Sequence, residues 1–180
     1  DSSKLLMDIP DMLFAVPAVW VDRVTRLRRY FAKDTLSSLF ALCPIVLVEP
    51  WNYLDRKIAF LVKTMQVSPK DLSMSFALQY DLRHIQERYY FTDRCGRYKH
   101  PDPKAKAMSK ATPSVQEVVE TDLKTFVKRV AGPGVTIEEY NVFLTVLVDE
   151  LDHGASAFDE HGFEVDREAE LEAIAFKKNY

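Results

Sequence analysis

The stretch VWVDRVTRLRRYFAKDTLSSLFALCPIVLVEP, Val19 to Pro50, decides how the chain is read. Its apolar residues Trp20, Val24, Leu27 and Phe31 step by four, three and four, which marks one face of an α-helix rather than the alternation of a strand. The same steps return in Leu54, Ile58, Leu61 and Met65, each 34 residues after its counterpart. A spacing of that size is a repeat unit of two or three helices. Each set is followed by a start signal for another helix, Asp34 before TLSSLF and Ser68 with Pro69 before KDLSMSFAL. A short polar side chain can accept from an orphan backbone N–H there, and proline suits the first turn. The expected unit is helix, short turn, helix.

Working outward, PIVLVEPWNYLD (44–55) brackets a short apolar run between Pro44 and Pro50. One isolated strand would have no partner, so a helical turn or an extended connector is expected. A third copy begins in DLRHIQERYYF, where Leu82, Ile85 and Tyr89 share a helical face and Ile85 follows Ile58 by 27 residues. KHPDPKAKAMSKATP (99–113) has three prolines and almost no large apolar residue, and reads as a surface connector. Helices resume with SVQE (114–117) and TIEE (136–139), both capping-box sequences. Thr121 is the expected cap of DLKTFVKRVA, which should stop at Gly132. From Ile137 onward Tyr140, Phe143, Leu144, Leu147 and Leu151 form one stripe. DREAELEAIAFKK (166–178) is expected to make a last helix. The fold class is all-α, stacked helical repeats of undetermined hand plus a C-terminal helical module. The expected divisions are an N-terminal extension (1–18), repeats (19–98), a linker (99–113), a closing module (114–152) and an acidic segment (153–180).

At 180 residues and 47% hydrophobic the chain can bury an ordinary core. Its longest apolar stretch, Leu36 to Val48, is interrupted by Pro44 and falls short of the roughly 20 residues that span a bilayer. Asp1 in first place is read as the mark of a processed or truncated form. Two cysteines, Cys43 and Cys95, are too few for a disulfide scaffold and fit a reducing compartment. The net charge of -3 hides a division: Trp20 to Lys99 holds fourteen Lys/Arg against eight Asp/Glu (+6), and Val135 to Tyr180 three against twelve (-9). A basic middle suits a polyanion that the acidic end would repel.

Motifs of chemistry are lacking. GPG at 132–134 has no Lys-Ser/Thr after it and contains a proline, so it is a helix stop rather than a phosphate loop. The histidines at 84, 100, 153 and 161 have no partners at metal-site spacing, and no serine or cysteine lies in a nucleophile motif. No catalytic residue, metal or cofactor is expected.

Stacked repeats present equivalent positions on a common surface. Arg23, Arg26, Arg28 and Arg29, then Arg56, Lys57 and Lys63, then Arg83, Arg88, Arg94 and Arg97, could form a positive strip for a phosphate backbone. They could equally be outer helix faces whose arginine stems cover apolar surface.

The units VWVDRVTRLRRYFAKDTLSSLFALCPIVLVEP and YLDRKIAFLVKTMQVSPKDLSMSFAL resemble the repeats of the mTERF (mitochondrial transcription termination factor) family, in which a second helix ends in proline and an apolar pair, here Pro44 with Ile45 to Val48. HIQERYYFTDRCGRYKHPDP, ATPSVQEVVETDLKTFVKRVAG and VTIEEYNVFLTVLVDEL resemble the C-terminal region of the branch of that family that partners an rRNA cytosine-5 methyltransferase. The resemblance covers about Val19 to Leu151. It implies a non-enzymatic adaptor of the mitochondrial matrix that binds rRNA and holds the methyltransferase in a particle assembling the large mitoribosomal subunit. On this resemblance Ile85, Tyr89 and Phe91 would lie in the core of the last repeat, and Tyr98 would pack at the turn that follows. RNA would lie on the repeats, including Arg88, Arg94 and Arg97. The partner would lie on the exposed side of the closing helices, with Tyr98, Phe126, Tyr140 and Phe143 as candidates. The alternatives are a regulator of mitochondrial transcription of the same family, or a purely protein-binding subunit of the assembly particle.

Overall fold

The computed structural model describes residues 17–100 and 112–153. Most of the expected N-terminal extension, residues 101–111 of the linker, and the acidic segment from residue 154 with its expected last helix lie outside the described residues. Every regular element among those described is helical, in agreement with the all-α reading. They fall into two compact units divided between Leu82 and Arg83.

In the first unit, α1 (Pro17–Leu27) is followed by α2 (Lys33–Leu42) and a 3-10 turn (Pro44–Leu47). The pattern repeats as α3 (Trp51–Ala59), continued by a π turn (Phe60–Thr64), then α4 (Pro69–Ser73) and a second 3-10 turn (Ala77–Gln79). The PIVLV run is thus a helical turn, as expected. Helix α2 packs against α4, and the first 3-10 turn against the second, so equivalent pieces of successive repeats are neighbours. Leu27 and Phe31, with Leu54, Ile58, Leu61 and Met65, are buried, while Trp20 and Val24 are half-buried. Ser68 caps α4, its hydroxyl accepting from the Asp71 N–H at 3.1 Å. Asp34 lies inside the first turn of α2, whose cap position is held by Ala32, so it serves the helix dipole rather than the cap. The π turn closes with a Met65 N–H to Phe60 carbonyl bond, and Gln66 at φ 55 ends the helix in the left-handed region.

Helix α5 (Leu82–Arg94) opens the third copy. Its first residue follows that of α3, Trp51, by 31 residues, so Ile85 corresponds to Leu54. The offset of 27 paired Ile85 with Ile58, one helical turn out of register; because consecutive turns of a helix present the same face, periodicity alone did not separate the two. The Tyr53 hydroxyl accepts from the Leu82 N–H at 2.9 Å and satisfies the first amide of α5.

The second unit continues with α6 (Val115–Val119), α7 (Leu123–Thr125) extended by a π turn (Phe126–Ala131), and α8 (Ile137–His153). Both capping boxes form: Ser114 and Glu117 exchange bonds at 2.7 and 3.2 Å, Thr136 and Glu139 at 2.7 and 3.1 Å. Asp122 and not Thr121 caps α7, accepting from the Thr125 N–H at 3.1 Å. The Thr121 hydroxyl donates to the Glu117 carbonyl instead. Gly132 ends the π turn at φ 127, a conformation essentially reserved for glycine. Ile85, Tyr89, Phe91, Val118, Phe126, Tyr140, Phe143 and Leu147 are buried, Leu144 is half-buried, and the side chain of Leu151 lies outside the description.

Candidate nucleic-acid interface

In the first unit Arg23 and Arg26, three apart and so on one face of α1, both stand over the indole of Trp51, each 5.4 Å from its centroid. Arg26 is held by Asp22 at 2.8 Å, and Arg23 donates to the Glu49 carbonyl at 2.8 Å. Burial, with the neighbouring Arg26 charge, lowers the Arg23 pKa from its ordinary value. Arg28 and Arg29, in the turn that leaves α1, are exposed, as is Lys63 on the π turn, and Arg56 is half-buried. Nearby, burial and a 2.9 Å bond donated to Asp55 push the Tyr30 hydroxyl up to about 12.

Lys57 departs from the expected strip. Its ammonium is wholly buried, 2.7 Å from the equally buried Glu49 carboxylate, and donates to the carbonyls of Leu78 at 2.8 Å and Tyr80 at 3.3 Å. It cannot reach a phosphate. The helix turns it inward because a carboxylate and two carbonyls wait there, a circumstance set by residues 8 to 23 positions away in sequence.

In the second unit Arg83 is partly exposed and pairs with Glu87 one turn on, at 2.9 Å. Arg88 is a second correction: it is buried, with its guanidinium 4.0 Å from the Phe126 centroid and 5.9 Å from that of Tyr140, and so forms part of the core. Arg94 is exposed, pairs with Glu150 and lies over Phe143 at 5.1 Å. Arg97 is exposed, just past Gly96, whose φ of 66 makes the turn.

The expected partner aromatics are likewise interior. Phe91 meets Tyr140 at 4.9 Å, Phe143 at 5.1 Å and Phe126 at 6.1 Å between centroids, and all four are buried. Their area is consumed by the fold, so Phe126, Tyr140 and Phe143 offer no docking surface. Tyr98 is nearly buried too, edge-on to Tyr89 at 5.0 Å, and burial pushes its hydroxyl up to about 12. The exposed apolar residues of α8 are Val142, Val146 and Val148, which the single-stripe reading passed over although they are visible in the sequence.

The second unit also holds a cleft of about 250 Å³ lined by Arg97, Thr112, Pro113, Glu117, Thr121, Thr125, Arg129 and Val130. Arg129 is exposed and was not singled out in the sequence, where it lies outside the basic middle of the chain. Among the described residues no group of three His, Cys, Asp or Glu could hold a metal, and no helix is long and apolar enough to cross a membrane.

No family model matches the chain. It is similar to "Transcription termination factor 4, mitochondrial" of Mus musculus, with 27% identity over 150 residues. The match takes in 82% of this chain and 42% of the relative's length.

Proposed function

We propose that the chain is a non-enzymatic mitochondrial protein of mTERF type that binds nucleic acid through its helical repeats. Its finer role in this reading is that of an adaptor: it binds rRNA and holds an rRNA cytosine-5 methyltransferase while the large mitoribosomal subunit is assembled. The observation that carries the binding part is the Arg23, Arg26 and Trp51 arrangement with Arg28 and Arg29 exposed beside it in sequence. Guanidinium groups meet phosphates in fork geometry, and packing over Trp51 fixes where two of them stand. Such contacts position a nucleic acid without reading its sequence. The likeness to a mitochondrial termination factor supports both the compartment and the class of ligand.

The test is a titration of single-stranded RNA and of duplex DNA against salt, with the parent chain and Arg28→Gln/Arg29→Gln. The parent's RNA affinity should fall linearly with salt on logarithmic axes, and the double variant should bind more weakly with a shallower slope, by about 0.7 for each phosphate no longer neutralised. Preference for duplex DNA would move the reading to a regulator of transcription. Salt-independent binding would leave a protein-binding subunit.

The partner-holding part of the proposal moves from the buried aromatics to the exposed face of α8, where Val142 and Val146 stand one turn apart. Those two valines are where an apolar contact on that helix would be made in this reading.

A further inference from the structure

We infer that the second unit carries a phosphate subsite of its own, the cleft between Arg97 and Arg129, which takes one phosphodiester of a single-stranded RNA. The inference rests on the reading of the chain as an RNA binder and adds a contact point outside the first two repeats.

Arg97 comes from the turn after α5 and Arg129 from the π turn after α7, yet both line one cleft. Both are exposed, and neither forms an ion pair among the described residues. The arginines of α5 itself are committed: Arg83 to Glu87, Arg94 to Glu150, Arg88 to the aromatic core. Two like charges brought to one concave surface repel, and an anion between them relieves that repulsion.

Arg97 is also held in place. Its side chain lies against Gly132 at ordinary packing distance, an added Cβ standing 3.6 Å from Nε, and so runs alongside the end of the π turn. The one carboxylate lining the cleft, Glu117, keeps its charge but turns Oε2 to the Ser114 N–H at 2.7 Å and the Ser114 hydroxyl at 2.9 Å, and the two arginines outnumber it. Two of the hydroxyls are spent as well, Thr112 donating to the Lys99 carbonyl and Thr121 to that of Glu117. The third, Thr125, bonds to the Asp122 carboxylate, so the donors left for a ligand are the guanidinium groups, whose planar forks match phosphate oxygens.

The cleft is smaller than the pockets of roughly 300–1,000 Å³ that enclose whole small molecules. It suits a single phosphate unit of a chain that runs on past it. Lys124 and Lys128, exposed at one-turn spacing on the same helical segment as Arg129, extend the positive charge beyond the cleft, which favours a polyanion over an isolated phosphate group.

The experiment uses the full chain and Arg97→Gln/Arg129→Gln in the salt titration with single-stranded RNA, with Arg28→Gln/Arg29→Gln alongside, and inorganic phosphate followed by the NMR signals of the arginine Nε–H groups. The Arg97/Arg129 variant should lose about tenfold in RNA affinity, the scale of one charge-assisted contact, and its slope should shrink by about 0.7. Phosphate should shift the Arg97 and Arg129 signals of the parent, and an unchanged melting temperature checks that the variant is folded. An unchanged affinity and slope, while Arg28→Gln/Arg29→Gln loses both, overturns the subsite and leaves the general reading standing. Phosphate shifts without any effect on RNA binding would assign the cleft to another phosphate bearer, such as a phosphorylated peptide, and overturn the RNA assignment. A parent chain that binds no RNA removes the reading beneath it.

Discussion

Lys57 and Glu49 are both 0% exposed, a lysine and a glutamate closed off from water together. Taking two charges out of water costs several kcal/mol each, and their attraction offsets this only while both are present and their remaining bonds are made. Here the ammonium donates to Glu49, Leu78 and Tyr80 and sits 5.2 Å from the Tyr53 ring, so it ties the beginning of one repeat to its end. Lys57→Met should therefore cost about 3–5 kcal/mol, because it strands the Glu49 carboxylate, whereas Lys57→Met with Glu49→Leu should recover most of the loss. Urea unfolding of the two variants checks this; equal stability of single and double variants would show that the pair is not coupled. The sequence shows a lysine in a basic helix and nothing of its destination. Arg88 is hidden in the same way, since only the arrival of Phe126 and Tyr140 from the closing helices turns a surface arginine into an interior one.

Elements whose boundaries are set by residues three or four apart were readable. The SVQE and TIEE boxes, the Ser68 cap and the Gly132 stop all depend on short-range bonds, and each is where the sequence places it. The π turns were not readable, because bonds such as Met65 to Phe60 skip one residue more than the helical period announces. Thr121 and Asp122 stand side by side and either can cap; geometry chose the carboxylate, which accepts from Thr125. That bond, first the side-chain and then the backbone contact with Thr125, lowers the Asp122 pKa below its ordinary value. A depressed folded-state pKa means that the cap's contribution is present above the unfolded value and is lost as pH falls through the folded one. Thermal melts across the acid range should show this loss in the parent and not in Asp122→Asn, which keeps the cap without the charge. Identical acid profiles would remove the carboxylate from that role.

Across the whole molecule the sequence told more about class than about address. Periodicity announced helices, the 34-residue spacing announced repeats, and the charge division separated a basic middle from an acidic end. Which arginines meet water depended on packing between distant segments, which no local pattern records. The aromatics Phe126, Tyr140 and Phe143 were drawn into the core for the same reason, leaving Val142 and Val146 among the exposed apolar residues of α8. On the proposed adaptor reading, Val142→Asp/Val146→Asp in the full chain should leave the melting temperature and RNA affinity near those of the parent while co-purification of an rRNA methyltransferase is lost. Undiminished co-purification would place the partner elsewhere. The hydroxyl of Tyr53, waiting for the amide of Leu82 at a distance of 29 positions, has one more effect. A chain that is delivered from its N-terminal end, by a ribosome or through an import channel, presents residue 53 before residue 82, so the acceptor is in place ahead of its donor.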